Sequence, residues 1–318
     1  MDYVLCTRAL SKGQFTIEPG AARYLAVPPG ATDLLPEHAA TTKSWVESVL
    51  FDADPGKLST KLEQHGEVLF FIHGFNTTTA QMLERHRLIR KGLNAAGWRG
   101  ALIGFDWPSA NSTINYLEDR FDAMDTARTL VRGGIQLFTK AMRPNCRVNM
   151  HVLAHSMGAF VLREAFGTAD YLRSIAQVSW TVGQTILVAG DISQGCLAAG
   201  HAMGDGIYVH STRVTNYSNP WDGALSVSGA KRLGASPRAG RVGLPATAPS
   251  KAVNVDTGDY FQAHEKTFTG KGLEFAGHTW YFNDKAFYRD LSLTLQGEID
   301  RNAIPTRAVI DGRLILKG

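Results

Sequence analysis

The stretch HVLAHSMGAF, residues 151–160, places one serine where a run of apolar residues meets a helical pattern. The residues before it, RVNMHVLA, are typical of a buried strand, and those after it, GAFVLREAF, are typical of a helix. A tight strand-to-helix turn of this kind lifts a hydroxyl above a sheet and aims the first N–H groups of the helix at a developing oxyanion. Ala154 and Gly158 supply the small side chains that such a turn needs. Ser156 is therefore a candidate nucleophile.

The pattern small-x-Ser-x-Gly is weak by itself, because Ala9 to Gly13 also satisfies it around Ser11. Only Ser156 has a strand before it and a helix after it. The alternative for Ser156 is an ordinary serine that caps the N-terminus of the following helix.

Around this turn the chain alternates short apolar runs with longer helical patterns, which predicts successive βαβ units and a mostly parallel sheet. The pattern predicts strands at 67–72, 100–105, 147–154, 185–190, 213–219 and 252–256, the last of these closing the sheet, and helices at 77–97, 118–142, 158–166 and 283–299. The stretch 223–250, rich in Gly, Ala, Pro and Ser, is predicted to be a long mobile loop. The first 65 residues have the weakest periodicity.

The composition excludes several classes of protein. The 318 residues carry a formal charge of +4 from 33 basic and 29 acidic side chains, which is too balanced for a nucleic-acid surface. Three cysteines without a CxxC pair argue against disulfides or structural zinc and favour a cytoplasmic protein. We find neither an export signal nor an apolar run long enough to span a membrane. His151 and His155 lie about 13 Å apart on a strand and cannot share a metal ion.

The residues FIHGFN (71–76) follow the first strand of the alternating pattern. Gly74 lets the backbone approach the serine, and the N–H groups of Phe75 and Met157 are then the expected pair of oxyanion donors. His73 could support the site or could be purely structural.

Five motifs in order, FIHGFN, FDWPS (105–109), LAHSMG, NPWDGAL (219–225) and GHTWYFN (277–283), resemble a bacterial α/β-hydrolase family of esterase-like and lipase-like proteins. The resemblance implies an α/β-hydrolase fold with an eight-stranded, mostly parallel sheet and serine esterase chemistry without a cofactor. It covers roughly residues 66–295. We accordingly expect a catalytic domain over 66–318 and an N-terminal extension, 1–65, that packs on it. Ala154 departs mildly from the superfamily pattern, which has glycine there.

In that fold the acid and then the histidine follow the serine. His278, in a glycine-flanked loop before the closing helix, is the expected base, and His264 is expected to be a surface residue. Asp222 follows the second strand after the turn, where the acid usually lies. Asp191 follows the first and stays an alternative.

The expected function is a serine carboxylesterase that hydrolyses small, short-chain esters, since the segment between Ser156 and Asp222 has no apolar helix typical of a lid. An acyltransferase or thioesterase would use the same triad, and a silent scaffold would keep the fold without the chemistry. The oligomeric state is not written in any motif.

Overall fold

The computed structural model describes residues 1–53, 66–109, 124, 126–141, 148–169, 171, 180–230, 236–268, 276–297 and 299–318. The strands are β1 (Asp2–Ser11), β2 (Gln14–Val27), β3 (Gly66–Ile72), β4 (Ala101–Asp106), β5 (Val148–His155), β6 (Val182–Val188), β7 (Ser211–Ser218), β8 (Ala252–Asp256), β9 (Arg307–Ile310) and β10 (Arg313–Leu316).

The helices are α1 (Thr42–Ala53), α2 (Thr79–Ala95), α3 (Gln136–Ala141), α4 (Gly158–Ala169), α5 (Asp205–Val209), α6 (Gly223–Ala230), α7 (Ala239–Val242), α8 (Gly258–His264), α9 (Ala276–Thr279) and α10 (Lys285–Gln296). A π-helical turn, Leu130–Ile135, precedes α3, and short 3-10 turns lie at Pro36–His38, Gln194–Leu197, Glu265–Thr267 and Trp280–Asn283.

All the strands form one sheet in the order β2-β1-β4-β3-β5-β6-β7-β8-β10-β9. Every neighbouring pair from β1 to β10 in that order is parallel, and only the edge strands β2 and β9 run antiparallel to their neighbours. The predicted α/β-hydrolase type of sheet, mostly parallel and flanked by helices, is confirmed. The implied count of eight strands is wrong, because the residues that the structure describes already form ten.

The sheet buries both of its faces, which explains why its central strands read as continuous apolar runs. In β3, Val68, Phe70 and Ile72 pack into one hydrophobic cluster. Leu69 and Phe71, which point to the opposite face, pack into a second cluster with aromatic side chains of α10.

Helix ends follow local sequence signals. Thr78 caps α2, since its hydroxyl accepts the Gln81 N–H at 3.2 Å while the Gln81 side chain accepts the Thr78 N–H at 3.0 Å. The sequence pattern Thr-x-x-Gln at 78–81 therefore forms a capping box. The Asp284 carboxylate caps α10 in the same way by accepting the Phe287 N–H at 2.7 Å.

Two expectations differ from the structure, and a third is covered only in part. The strand at 252–256 does not end the sheet, because a hairpin of β9 and β10 follows it and β10 pairs with β8. The stretch 223–250 holds α6 and α7, and Arg238 and Ala239 are buried, so these parts are not a mobile loop; residues 231–235 lie outside the described residues. Of the helix predicted at 118–142, residues 118–123, 125 and 142 lie outside the described residues, while 124 and 126–141 are helical.

The first residues contribute strands of the main sheet. β1 runs parallel to β4, with Cys6 opposite Asp106, and β2 folds back along β1 as the edge strand. The carboxyl ends of β1, β4, β3, β5, β6 and β7 consequently meet at one edge of the sheet, where parallel α/β folds place their sites.

Candidate active site

Ser156 occupies a strained turn between β5 and α4. Its φ angle is 55°, in the left-handed region that side chains other than glycine rarely adopt. Its N–H donates to the Val188 carbonyl at 3.0 Å, and its own carbonyl accepts the N–H groups of Ala159 at 3.0 Å and Asp191 at 2.9 Å. This is the backbone geometry of a nucleophile elbow. Only 8% of the residue is exposed.

The two glycines near Ser156 are required by close backbone approaches. A Cβ on Gly74 would lie 2.8 Å from the Ser156 Cβ, and a Cβ on Gly158 would lie 2.4 Å from the Ile72 carbonyl oxygen. Both contacts are shorter than packed carbon atoms tolerate. Ala154 is fully buried in β5, so the turn accommodates the methyl group where the superfamily has glycine.

His278 and Asp222 are hydrogen-bonded to each other. The Nδ1 atom of His278 lies 2.7 Å from Oδ2 of Asp222, whose residue is fully buried. The other carboxylate oxygen accepts the Leu225 N–H at 2.9 Å, in the first turn of α6. The carboxylate is thus held from both sides, and its position orients the imidazole ring.

His155, the neighbour of Ser156, joins the elbow to the loop that carries His278. Its Nε2 lies 2.9 Å from the His278 carbonyl oxygen, and the two rings are 4.7 Å apart. Burial, followed by the nearby His278 and Arg85, holds the pKa of His155 well below its usual value. A neutral His155 ring with its proton on Nε2 donates to that carbonyl. Sequence reasoning missed this contact of His155.

Asn219 makes a second connection, between the turn that carries Asp222 and the loop that carries His278. Its side-chain amide donates to the Gly277 carbonyl at 2.9 Å, and its side-chain oxygen accepts the Trp221 N–H at 3.1 Å. The residue is fully buried. Sequence reasoning missed this role, although Asn219 belongs to the NPWDGAL motif that it singled out.

The loop His73–Asn76 lies directly against Ser156 through Gly74. His73 is fully buried, stacks on Trp107 at 5.5 Å between ring centroids, and places Nε2 3.1 Å from Asp106 Oδ1. Burial is the largest influence on His73 and lowers its pKa. His73 therefore contacts both its own loop and the end of β4.

The remaining candidates are placed differently. Asp191 lies near Ser156 through its backbone, but its carboxylate is 3.1 Å from Nε of the buried Arg238. His264 is exposed and stacks on Tyr260. Ser11 is exposed at the end of β1, where a hairpin turn and not a helix follows.

Aromatic side chains near the site divide into two groups. Trp107 and Trp280 are fully buried in the core, whereas Trp221 is 54% exposed beside Asp222 and Phe75 is partly buried. Only the second group is placed to contact a small molecule.

Among the described residues, no cluster of three or more His, Cys, Asp or Glu side chains could hold a metal ion. Across the same ranges, no helix has both the length and the apolar composition that crossing a bilayer requires.

Several solved structures share features of this fold at low identity. Esterase B of Lactobacillus rhamnosis is 12% identical, with 73% of this chain and 75% of that chain covered and a TM-score of 0.36. The cutinase of Trichoderma reesei is 12% identical, with 80% and 90% covered and a TM-score of 0.31. Phospholipase PlaB of Legionella pneumophila is 11% identical, with 79% and 67% covered and a TM-score of 0.35. Likenesses at this level carry no argument about activity.

No curated protein matches the chain. A family model does match, over residues 52–253, which is more than half of the sequence and includes the elbow and the Asp222 turn. The described fold, a mostly parallel sheet flanked by helices, agrees with that match. The chain therefore belongs to the alpha/beta hydrolase family of unknown function, DUF900.

Proposed function

We propose that this hydrolase is a serine carboxylesterase that acts on short-chain esters through an acyl-enzyme. The observation that carries the proposal is the 2.7 Å contact between His278 Nδ1 and Asp222 Oδ2. The loop that carries His278 is hydrogen-bonded through its carbonyl oxygen to His155, the neighbour of the strained Ser156. A cytoplasmic location is part of the same proposal and rests on the cysteine usage of the sequence.

In the proposed mechanism, Ser156 Oγ attacks the ester carbonyl carbon while His278 Nε2 takes the hydroxyl proton. The Nδ1–H of the resulting imidazolium donates to Asp222, which stabilises the positive charge. The N–H groups of Phe75 and Met157 bind the oxyanion of the tetrahedral intermediate. His278 then gives the proton to the leaving alcohol, and afterwards activates the water that releases the acid from Ser156.

The test is covalent labelling with a fluorophosphonate, followed by peptide mapping. The wild-type label should map to Ser156. Ser156→Ala should lose the label, and its rate of ester hydrolysis should fall by several orders of magnitude. Its circular dichroism spectrum should stay that of the wild type. Persistent labelling of Ser156→Ala, or a label on Ser11, would contradict the proposal. Product analysis with added alcohol or with an acyl thioester separates hydrolysis of esters from acyl transfer and thioesterase activity.

A preference for short acyl chains is supported by the small amount of aromatic surface that the described residues place beside the site, Phe75 and the half-exposed Trp221. Each further methylene gains about 0.8 kcal/mol only where apolar surface can bury it. We expect the specificity constant to stop rising after the first few acyl carbons in a series of nitrophenyl esters. A constant that keeps climbing to long chains would contradict the preference.

A further inference from the structure

The HGFN loop, His73–Asn76, is held from an unexpected direction, by the first strand of the chain. Arg8 lies near the end of β1, two residues beyond Cys6, which pairs with Asp106 at the end of β4. Its Nε donates to Asp106 Oδ2 at 2.8 Å, and its Nη2 donates to the Thr77 carbonyl oxygen at 2.8 Å. Both side chains of the ion pair are buried. One guanidinium therefore joins β1, the end of β4 and the residue that follows the HGFN loop.

Asp106 gathers further contacts from β1. The Cys6 thiol donates to Asp106 Oδ2 at 3.3 Å, and the Thr7 hydroxyl donates to the Asp106 carbonyl oxygen at 3.1 Å. Burial of the Asp106 carboxyl opposes its ionisation, but the charge of Arg8 and the contact with His73 outweigh it and lower its pKa to about 2. Asp106 stays an anion at ordinary pH and a fixed partner for His73, whose Nε2 lies 3.1 Å away.

Thr77 carries the second connection into the loop. Its hydroxyl accepts from Arg85 Nη1 at 3.2 Å, so its own proton is directed elsewhere. That proton faces the carbonyl oxygens of Gly74 at 3.1 Å and Phe75 at 3.2 Å. The Gly74 carbonyl oxygen also lies 2.8 Å from His73 Nδ1. A neutral His73 ring has one N–H, which can go to Asp106 from Nε2 or to Gly74 from Nδ1 but not to both. The continuous connection from Arg8 to the Gly74 carbonyl therefore runs through Thr77.

The Gly74 carbonyl and the Phe75 N–H belong to one peptide unit. A trans peptide is planar, and its C=O and N–H point in opposite directions. Whatever holds the Gly74 carbonyl therefore also sets the direction of the Phe75 N–H. Gly74 is the residue whose backbone touches Ser156, so a small rotation of this peptide moves the N–H relative to the reacting carbonyl.

We propose that Arg8 is a positioning residue for the oxyanion hole. Asp106 holds its guanidinium in place, and Arg8 acts through Thr77 to orient the Gly74–Phe75 peptide. The inference rests on the proposed esterase function. It gives β1 a role in the reaction, although β1 lies outside the segment that the family model matches. A donor that is misdirected by a fraction of an ångström loses its effect in the transition state and leaves substrate binding nearly unchanged.

Two independent variants test the proposal on the full chain, with a short-chain nitrophenyl ester as the substrate. Arg8→Lys keeps the charge but cannot donate to Asp106 and Thr77 in the same geometry. Thr77→Val removes the hydroxyl and keeps the backbone carbonyl that Arg8 binds. Each should lower kcat on the order of 10- to 100-fold, below the full loss of an oxyanion donor, with KM changed less than about threefold. Thr77→Ser, which restores the hydroxyl, should recover most of the turnover.

The matched controls lie in another buried ion pair, between Arg307 and Asp290, which Thr294 also contacts. Arg307→Lys and Thr294→Val should lower the melting temperature and leave kcat unchanged.

The fraction of folded, active protein in each variant is measured by the final stoichiometry of fluorophosphonate labelling. A misfolded fraction lowers that stoichiometry, whereas a misdirected donor slows labelling and leaves the stoichiometry intact.

The outcomes separate this proposal from the proposed function. Wild-type protein that neither labels nor hydrolyses esters contradicts both. Active wild-type protein whose Thr77→Val variant keeps its kcat contradicts the role of Arg8 and leaves the esterase in place. A loss of kcat in Thr77→Val that Thr77→Ser does not recover also contradicts it. If Arg8→Lys fails to fold, the two Thr77 variants decide the question.

Discussion

At the scale of single residues, backbone strain is concentrated where the proposed chemistry occurs. Ser156, Asn76 and Ala189 all have positive φ angles and lie at the carboxyl edge of the sheet, while Lys12 and Asp311 have them in hairpin turns. Each such residue costs on the order of 1 kcal/mol. Hydrogen bonds with Val188 of β6, with Asp191 after it and with Ala159 of α4 hold the Ser156 turn in this conformation.

Two single substitutions decide whether Asp222 or Asp191 is the carboxylate that orients His278. We expect Asp222→Asn to lower turnover on the order of 10⁴-fold, because an amide cannot hold the imidazole tautomer that accepts the serine proton. Asp191→Asn should cost far less turnover, since that carboxylate lies against Arg238. It should instead lower the melting temperature by weakening a buried ion pair.

Steady-state kinetics and thermal denaturation of both variants measure these effects, with the shape-preserving amide as the control for packing. Near-normal turnover of Asp222→Asn together with a collapse in Asp191→Asn would transfer the acid role to Asp191.

At the scale of elements, the segment around α7 joins the Ser156 turn to the Asp222 turn. The Ala239 N–H donates to Ile192 at 2.9 Å and the Gly240 N–H to Gly190 at 3.0 Å, while the Gly240 carbonyl accepts the Asn219 N–H at 2.9 Å. These bonds resemble the pairing of a short extra strand. The surrounding composition predicted a mobile loop, because such non-local backbone pairing leaves no periodic pattern in the sequence.

Gly240→Ala should test this connection. Its Cβ would lie 2.2 Å from the backbone of Ala189 and Gly190, so the segment must shift, and we expect a loss of about 1–3 kcal/mol in the free energy of unfolding. Gly195→Ala is the control, because its Cβ would meet only the Ser193 hydroxyl at 3.7 Å. Denaturant unfolding measures both, and equal stability of the two variants would show that the segment is not tightly held.

At the scale of the whole molecule, a sheet buried on both faces encloses ionisable side chains that resist protonation. His151 in β5 is buried, accepts the Gln184 N–H on Nδ1 at 3.1 Å, and has Nε2 3.9 Å from Glu67. Burial lowers the pKa of His151 from 6.5 to about 4. The unfolded chain therefore binds a proton at this site between these two values, and the folded chain does not.

The sign of the effect follows from that difference in proton binding. The free energy of unfolding falls by up to about 3 kcal/mol as the pH drops from 6.5 to about 4. At lower pH this site contributes no further change. His151→Asn keeps an acceptor for Gln184 and removes the titration, so its free energy of unfolding should depend less steeply on pH in that range. Denaturant titrations at several pH values measure the slope, and identical slopes in the two proteins would refute the assignment.

The sequence by itself determined the alternation of strands and helices, the strand-to-helix turn at Ser156, the glycine of the HGFN loop and the capping box of α2. These features depend on residues within a few positions of one another, so local patterns predict them. Only the tertiary structure decided that His278 contacts Asp222 and that Asp191 contacts Arg238. It also decided that His155 and Asn219 bind the loop that carries His278. The contact of Arg8 with Thr77, the residue after the HGFN loop, was likewise visible only there. The same is true of the two hairpins at the edges of the sheet. A buried polar group is satisfied by whichever distant segment the fold brings next to it, and that partner is set by packing rather than by neighbours in the chain.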